Sequence, residues 1–179
     1  MDTSDIEYKY TRNDECIATL EEQEIIVDWV RTNYSTFRMN GYNRYMNILD
    51  QLNDVPECIW AIKKRIVDKE KLNNAIQEPM FRDSIGYAME NGELHVHKDP
   101  NKNGLIHTRF NVYLQIPEKG GLPIYDKKVL PLKERTYICC RSGLDYHCCQ
   151  KIEGLRERVV LSYGFLLPYN RVENIVYEY

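Results

Sequence analysis

The first half of the chain has the hydrophobic spacing of amphipathic helices. In the first such segment, apolar side chains recur at steps of three and four among Glu, Asp and Arg: Leu20, Ile25, Ile26, Trp29, Val30 and Tyr34. This spacing predicts a helix over residues 20–37. A second helix is predicted over residues 42–52. A third is predicted after Asp54, with Pro56 in its first turn and one apolar face of Ile59, Ile62 and Ile66. Helices are thus expected over about residues 19–72.

From about residue 83 to residue 168, the pattern changes to the two-residue period of β-strands. Asn91 and Gly92 separate the alternating segments 84–89 and 94–99, which predicts a hairpin. Further strands are predicted over residues 108–116, 122–125, 136–141, 146–152 and 158–167. Many short strands separated by Gly, Pro and Asn turns favour an antiparallel barrel or sandwich. The predicted fold class is mostly β with N-terminal helices.

Three of the predicted strands carry a chemically distinctive polar face. These faces are Arg109, Asn111, Tyr113 and Gln115 in one strand, Arg158 and Ser162 in another, and His95, His97 and Asp99 in a third. A half-buried antiparallel sheet turns a polar face to solvent in any case. Exposed faces usually carry Thr, Lys, Glu and Ser, however, whereas these faces offer His, Asp, Arg, Tyr and Asn. Together they favour a barrel whose polar faces line a pocket.

Composition and charge narrow the class of protein. A chain of 179 residues fits one domain spanning residues 1–179, and 43% hydrophobic with 28% charged residues is ordinary for a folded protein. The net charge of -3 provides no broad field that would attract nucleic acid, so a nucleic-acid partner is disfavoured. No apolar run has the character of a signal peptide or the length of a membrane span. We therefore expect a cytoplasmic protein.

The cysteines offer an alternative chemistry. There are six, which we expect to be reduced thiols: Cys16, Cys58, Cys139, Cys140, Cys148 and Cys149. Two adjacent pairs bracket His147, and thiolates with imidazole are typical zinc ligands. Neighbouring residues on a strand point to opposite faces, so buried packing is favoured over chelation. A non-catalytic zinc-binding barrel remains the alternative from a different class.

His97 and Asp99 are the leading candidates for metal binding. Side chains two positions apart on a strand point the same way, so an imidazole and a carboxylate can face one ion. His147 is available downstream as a third ligand. Two imidazoles and one carboxylate, with the other positions open, is the ligand set of non-heme Fe(II) oxygenases. Such a site has room for a bidentate 2-oxo acid and dioxygen.

A 2-oxo acid would also need a cation for its far carboxylate. Arginine suits this role best, because its planar guanidinium forms paired hydrogen bonds with a carboxylate. Arg158 follows His147 by eleven residues on the last long predicted strand, whereas Arg156 is a less suitable substitute. Tyr113 can add a phenolic hydrogen bond. Arg109 shares the polar face of Tyr113 and is a candidate substrate contact.

In this order, the motifs resemble those of the 2-oxoglutarate and Fe(II)-dependent dioxygenases, especially the prolyl-hydroxylase-like branch. The matching positions are His97 and Asp99, Arg109, Tyr113 and Leu114, Gly120 and Gly121, His147, Gly154, Arg158 and Ser162. The resemblance covers roughly residues 83–168. A lone His-x-Asp pair is a weak motif, but the ordered series is much more specific.

The resemblance implies a double-stranded β-helix, or jelly-roll, core flanked by N-terminal helices. It implies Fe(II) on His97, Asp99 and His147, and 2-oxoglutarate on Arg158 and Tyr113. The implied activity is hydroxylation of a peptide side chain, coupled to decarboxylation of 2-oxoglutarate, with dioxygen as the other co-substrate. A nucleobase or small metabolite is the alternative substrate class. The segment 139–142, with its two cysteines, departs from the family's usual pattern.

Overall fold

The computed structural model describes residues 8–9, 11–12 and 15–177, which include two helices and fourteen short or long strands. The helices are α1 (Leu20–Asn33) and α2 (Glu57–Lys69). The strands are β1 (Tyr8–Lys9), β2 (Thr11–Arg12), β3 (Arg38–Met39), β4 (Arg44–Ile48), β5 (Ile76–Gln77), β6 (Asp83–Ala88), β7 (Leu94–His97), β8 (Ile106–Gln115), β9 (Pro123–Tyr125), β10 (Lys128–Val129), β11 (Tyr137–Cys140), β12 (His147–Cys149), β13 (Arg158–Leu167) and β14 (Ile175–Val176).

The strands form a large sheet and a small sheet. The large sheet has the order β2-β11-β8-β13-β6-β4-β3, with β5 paired to the far end of β13. The small sheet has the order β10-β9-β12-β7. All of these pairings are antiparallel, whereas β1 and β14 form a separate parallel pair. The prediction of a mostly β fold preceded by helical segments is confirmed.

Helix α1 begins at a capping box that the sequence encodes. The Oγ1 atom of Thr19 accepts a hydrogen bond from the backbone N–H of Glu22 at 3.1 Å. The Glu22 carboxylate in turn accepts one from the backbone N–H of Thr19 at 2.8 Å. These two bonds satisfy donors that have no partner within the helix. The predicted helix is confirmed over its first fourteen residues, and a short 3-10 turn, Tyr34–Thr36, follows it.

Replacing Thr19 with alanine should lower the free energy of unfolding by about 1 kcal/mol, which is typical for loss of an N-cap side chain. Chemical denaturation followed by circular dichroism would measure the change. Thr32→Ala is the matched control, because the Thr32 hydroxyl only bonds back to the Asp28 carbonyl within the helix. An equal loss in both variants would contradict the role of the capping box.

The helices cover the apolar face of the large sheet. Ile59, Ile62 and Ile66 are fully buried along one face of α2, as their spacing predicted. The Tyr163 hydroxyl on β13 donates a hydrogen bond to the Ile59 carbonyl at 2.7 Å, and the Gln23 side chain of α1 donates to the Leu114 carbonyl on β8. The opposite, polar face of the large sheet therefore faces the small sheet. None of the helices in the described residues is long and apolar enough to cross a bilayer.

The prediction of a helix over residues 42–52 was wrong. This segment forms β4 and a short 3-10 turn, Leu49–Gln51, and β4 pairs with β6 in the large sheet. Gly41 and Asn43 have φ values of 106° and 48°, so they form a turn that folds β4 back on β3. Hydrogen bonding to β6 outweighs the weak helical spacing of so short a segment.

The prediction of a hairpin around Asn91 and Gly92 was also wrong, although a turn does occur there. Asn91 has a φ of 66°, and the Gly92 N–H donates to the Met89 carbonyl. The flanking strands do not pair with each other, because β6 lies in the large sheet and β7 pairs with β12 in the small sheet. Hydrogen bonds between this turn and Ile152 hold it instead. The turn carries the chain from one sheet to the other.

Candidate metal and co-substrate site

A cavity of about 430 Å³ lies between the polar face of the large sheet and the small sheet. The large sheet contributes, among others, Arg44, Asn111, Tyr113, Arg158 and Ser162. The small sheet and its loops contribute His97, Asp99, Tyr125, His147 and Cys149. The polar faces predicted from sequence alternation therefore line a pocket. Within residues 15–177, the predicted site residues His97, Asp99, His147, Tyr113, Arg158 and Arg109 all reach this one cavity.

Three potential metal ligands meet on the small sheet. His97 on β7 is the register partner of His147 on β12, and their ring centroids are 4.2 Å apart. Asp99 follows β7 by two residues, and its backbone N–H is fixed by the Ser142 carbonyl at 2.9 Å. One ligand atom from each of the three side chains lies within 4.8 Å of the others. This is the set that the sequence singled out.

Hydrogen bonds leave the same ring nitrogen of both histidines available. The Nδ1 atom of His97 lies 2.8 Å from the His95 carbonyl, and that of His147 lies 3.1 Å from the Asp145 carbonyl. A carbonyl oxygen can only accept a hydrogen bond, so the Nδ1 atom facing it must carry the ring proton. In the neutral ring, Nε2 then has the lone pair that can bind a metal. Burial lowers the pKa of His147, which favours the neutral imidazole that a metal needs. Both rings are thus set up to ligate through Nε2.

The segment carrying His147 is fixed by an ion pair. Arg141 donates two hydrogen bonds to the Asp145 carboxylate, at 2.6 and 3.0 Å, and the Tyr177 hydroxyl donates a third at 2.9 Å. Asp145 is the residue whose carbonyl orients the His147 ring. Arg141 and Asp145 therefore position a candidate ligand rather than face the cavity themselves.

His107, the second residue of β8, lies next to Asp99 and was not among the predicted site residues. It is only 1% exposed, and its Nε2 atom is 3.6 Å from Asp99 Oδ2 and 3.6 Å from Glu78 Oε2. The Nε2 atom has no hydrogen-bond partner in the structure. Burial lowers the pKa of His107, while the two carboxylates oppose this effect. His107 thus restricts where the Asp99 carboxylate can turn.

Replacing His107 with leucine should weaken metal binding by about 10- to 100-fold, the usual loss when a residue that orients a metal ligand is removed. Titration of Mn(II) into the metal-free protein, followed by calorimetry, would measure this. His95→Ala is the control, because the His95 side chain is exposed. The backbone carbonyl of residue 95, which orients His97, is retained in the alanine variant. Equal Mn(II) affinity in the parent and His107→Leu proteins, with both folded, would show that His107 does not act on Asp99.

Arg158 and Tyr113 lie on the large sheet, on the cavity side. Tyr113 pairs in register with Val160, two residues from Arg158, so both side chains share one face. Arg158 is 8% exposed and uses Nη1 to donate to the Gly121 carbonyl at 3.1 Å, and its side chain also forms a hydrogen bond with Cys149. Burial raises the pKa of Tyr113, which keeps the phenol protonated as a hydrogen-bond donor. A cation and a donor therefore face the cavity from the same strand pair.

Arg109 lines the cavity, but its guanidinium is engaged within the protein. It donates to Ser162 Oγ at 2.7 Å, to Ser84 Oγ at 3.0 Å and to Glu78 at 3.2 Å. Two backbone carbonyls, of Arg82 and Ser162, accept further bonds. Gly164 makes room for it, since a Cβ there would lie 2.6 Å from Arg109 Nη1. This network favours a structural role over the predicted substrate contact.

The cysteines do not join the metal cluster. Within the described residues, the group of metal-binding side chains that converge contains two histidines and one aspartate. All six cysteines are free thiols. Burial raises the pKa of Cys140 to about 12, which disfavours the thiolate that zinc would require. The geometry therefore supports the His and Asp ligands over the zinc alternative.

The donor set and its geometry fit an Fe(II) site. Two imidazoles and one carboxylate converge at the wall of the cavity, whose volume leaves room for further ligands. Arg158 and Tyr113 face the same space, so a dicarboxylate could reach from the metal to the large sheet. The fold is similar to that of solved 2-oxoglutarate-dependent oxygenase structures, and the resemblance predicted from the sequence is confirmed at the level of the fold.

Solved structures of two proteins illustrate this similarity. The viral collagen prolyl hydroxylase of Paramecium bursaria Chlorella virus-1, in complex with 2-oxoglutarate, has a TM-score of 0.64 at 15% identity, covering 88% of this chain and 96% of that one. HygX from Streptomyces hygroscopicus, with nickel and 2-oxoglutarate bound, has a TM-score of 0.61 at 9% identity, covering 85% and 80%. HygX has also been solved with hygromycin B bound, at a TM-score of 0.59. No protein-family model and no curated protein matches the sequence.

Proposed function

We propose that this chain is an Fe(II)- and 2-oxoglutarate-dependent hydroxylase whose two facing sheets form a double-stranded β-helix. The observation that carries the proposal is the convergence of His97, Asp99 and His147 within 4.8 Å, in a cavity that Arg158 and Tyr113 also line. The similar folds of two 2-oxoglutarate complexes support it. The six free thiols suit a reducing compartment such as the cytoplasm, where iron stays ferrous.

Each site residue has a distinct part in this function. His97, Asp99 and His147 hold the metal through two Nε2 atoms and one carboxylate. Arg158 forms an ion pair with the far carboxylate of 2-oxoglutarate, and the Tyr113 hydroxyl donates to the same group. Fe(II), when bound there, supplies the oxygen-dependent chemistry. The protein's own task is to hold ligand geometry, exclude bulk water and place a substrate C–H bond beside the metal.

The substrate we propose is a peptide side chain. Similarity to a collagen prolyl hydroxylase over 96% of that chain supports this choice. HygX, with hygromycin B bound, makes a small metabolite the alternative, alongside a nucleobase.

Succinate formation from 2-oxoglutarate tests the proposal directly. Protein purified without oxygen and reconstituted with Fe(II) would be offered proline-containing peptides, nucleosides and small metabolites, and products would be examined for the mass of one added oxygen atom. Peptide-dependent succinate with a hydroxylated peptide is the expected result. Product from nucleosides or metabolites alone would replace the peptide assignment. Absence of both 2-oxoglutarate binding and succinate formation would contradict the enzyme class.

A further inference from the structure

A second arginine, Arg44, faces the cavity from β4, in the segment where the sequence predicted a helix. Arg44 and Arg158 are both register partners of Ala88, on the two strands that flank β6. Directly paired residues of antiparallel strands point to the same side, so both arginines lie on the cavity face. With strands about 4.8 Å apart, their Cα atoms are separated by roughly 10 Å.

The Arg44 guanidinium is only partly satisfied by the protein. Its Nη1 donates to the Asn40 carbonyl at 3.0 Å, but its Nε is buried without a hydrogen-bond partner. Within residues 15–177, the structure gives Arg44 no ion pair with a carboxylate. Burial, followed by repulsion from Arg158, lowers the pKa of Arg44 to about 10. The group is still charged at neutral pH, and a partly buried charge without a counterion is costly.

The other charges in the cavity already have partners. Arg109 is paired with Glu78, and Arg158 has the far carboxylate of 2-oxoglutarate under the proposed function. The charges of Fe(II), Asp99, dianionic 2-oxoglutarate and Arg158 cancel one another. Glu93 also lines the cavity but is exposed to solvent. Of the cavity's arginines, Arg44 is thus the one left without an anionic partner when metal and co-substrate are in place.

The geometry points to Arg44 as the binding group for an anionic part of the substrate, a carboxylate or a phosphate, next to the 2-oxoglutarate site. This assignment depends on the proposed function, which places 2-oxoglutarate on Arg158. The substrate class is thereby narrowed to molecules that carry a negative charge able to reach Arg44 while the C–H bond to be hydroxylated lies beside the metal ligands in the same cavity. For a peptide, an acidic side chain or a terminal carboxylate would provide that charge.

Anion binding to the 2-oxoglutarate-saturated protein tests this assignment without turnover. Mn(II)-loaded protein, kept free of oxygen and saturated with 2-oxoglutarate, would be titrated by calorimetry with inorganic phosphate, with N-acetylglutamic acid amide, and with its uncharged match N-acetylglutamine amide. We expect at least one anionic probe to bind and the uncharged probe to bind at least tenfold more weakly. Phosphate and the carboxylate probe distinguish the two sources of the anion.

Variants separate a binding role from a structural one. Arg44→Met should weaken binding of the anionic probe at least tenfold, while the affinity for 2-oxoglutarate stays within about threefold of the parent value. Arg44→Lys should recover part of the probe affinity, because lysine keeps the positive charge. Arg38→Met is the matched control, since Arg38 is an exposed arginine of the same β3-β4 hairpin. Thermal unfolding would verify that each variant is folded.

Three outcomes would overturn the assignment. The first is that neither anionic probe binds. The second is that probe affinity is unchanged in Arg44→Met. The third is that Arg44→Met and Arg44→Lys both fail to bind 2-oxoglutarate, which would place Arg44 in the co-substrate site. If the parent protein binds no 2-oxoglutarate at all, the proposed function fails, and probe binding to the metal-loaded protein alone then decides whether Arg44 is an anion site.

Discussion

Replacing Asp99 with alanine should abolish Fe(II) binding and succinate formation together. Asp99 is the one carboxylate in the converging group, and its ligand oxygens lie within reach of both histidines. Removing residues that merely orient a ligand costs about 10- to 100-fold in metal affinity, so loss of a ligand should cost more than 100-fold. Metal analysis after anaerobic reconstitution and a succinate assay would measure the two effects.

Asp28→Ala is the control for this experiment, because Asp28 is exposed on α1 and does not line the cavity. That variant should bind metal and turn over as the parent does. Four-coordinate zinc retained by the Asp99→Ala protein would contradict the oxygenase site and favour the zinc-binding barrel. Such a result would indicate that His147 and its neighbouring cysteines hold the zinc.

Replacing Arg158 with alanine should weaken 2-oxoglutarate binding by tens of fold or more. Arg158 is buried in the cavity wall, and truncating one member of a desolvated charge pair costs about 2 to 5 kcal/mol. Calorimetric titration of 2-oxoglutarate into Mn(II)-loaded protein, without oxygen, would measure the loss. Metal affinity itself should be nearly unchanged, because the metal ligands lie on the other sheet.

Arg156→Ala tests the nearest alternative cation. Arg156 forms an ion pair with Glu134 at 2.6 Å and donates to the Ile116 carbonyl, so its loss should leave 2-oxoglutarate affinity nearly unchanged. If Arg158→Ala binds 2-oxoglutarate as tightly as the parent, the far carboxylate has another partner. Arg44 would then be the first candidate for that role.

The sequence predicted which strand faces are polar better than it predicted which strands pair. Strict alternation placed Tyr113 and Arg158 on polar faces, and β13 has the bounds that the alternation indicated. The polar face of each strand could be assigned because side chains alternate between the two faces of a strand, whichever strand it pairs with. Which strands pair is set by contacts between distant residues, so the turn at Asn91 looked like a hairpin although it joins two sheets.

The roles of two residues could not be predicted from the sequence alone. Arg44 was missed because residues 42–52 have apolar spacing compatible with a short helix, and only pairing with β6 makes them a strand. Arg109 looked available for substrate because alternation reveals which way a side chain points but not what it contacts. Its partner Glu78 precedes the first predicted strand and gives no local sign of pairing with Arg109.

The division of the site between the two sheets gives the co-substrate a second effect. Among the described strands, no hydrogen-bonded pairing joins the small sheet, which carries the metal ligands, to the large sheet, which carries Arg158. Under the proposed function, metal and 2-oxoglutarate bridge that gap only in the folded chain. Ligand at about one hundred times its dissociation constant adds about 2.7 kcal/mol to folding stability. The cellular supply of iron and 2-oxoglutarate would therefore govern how long the folded protein persists, as well as how fast it works.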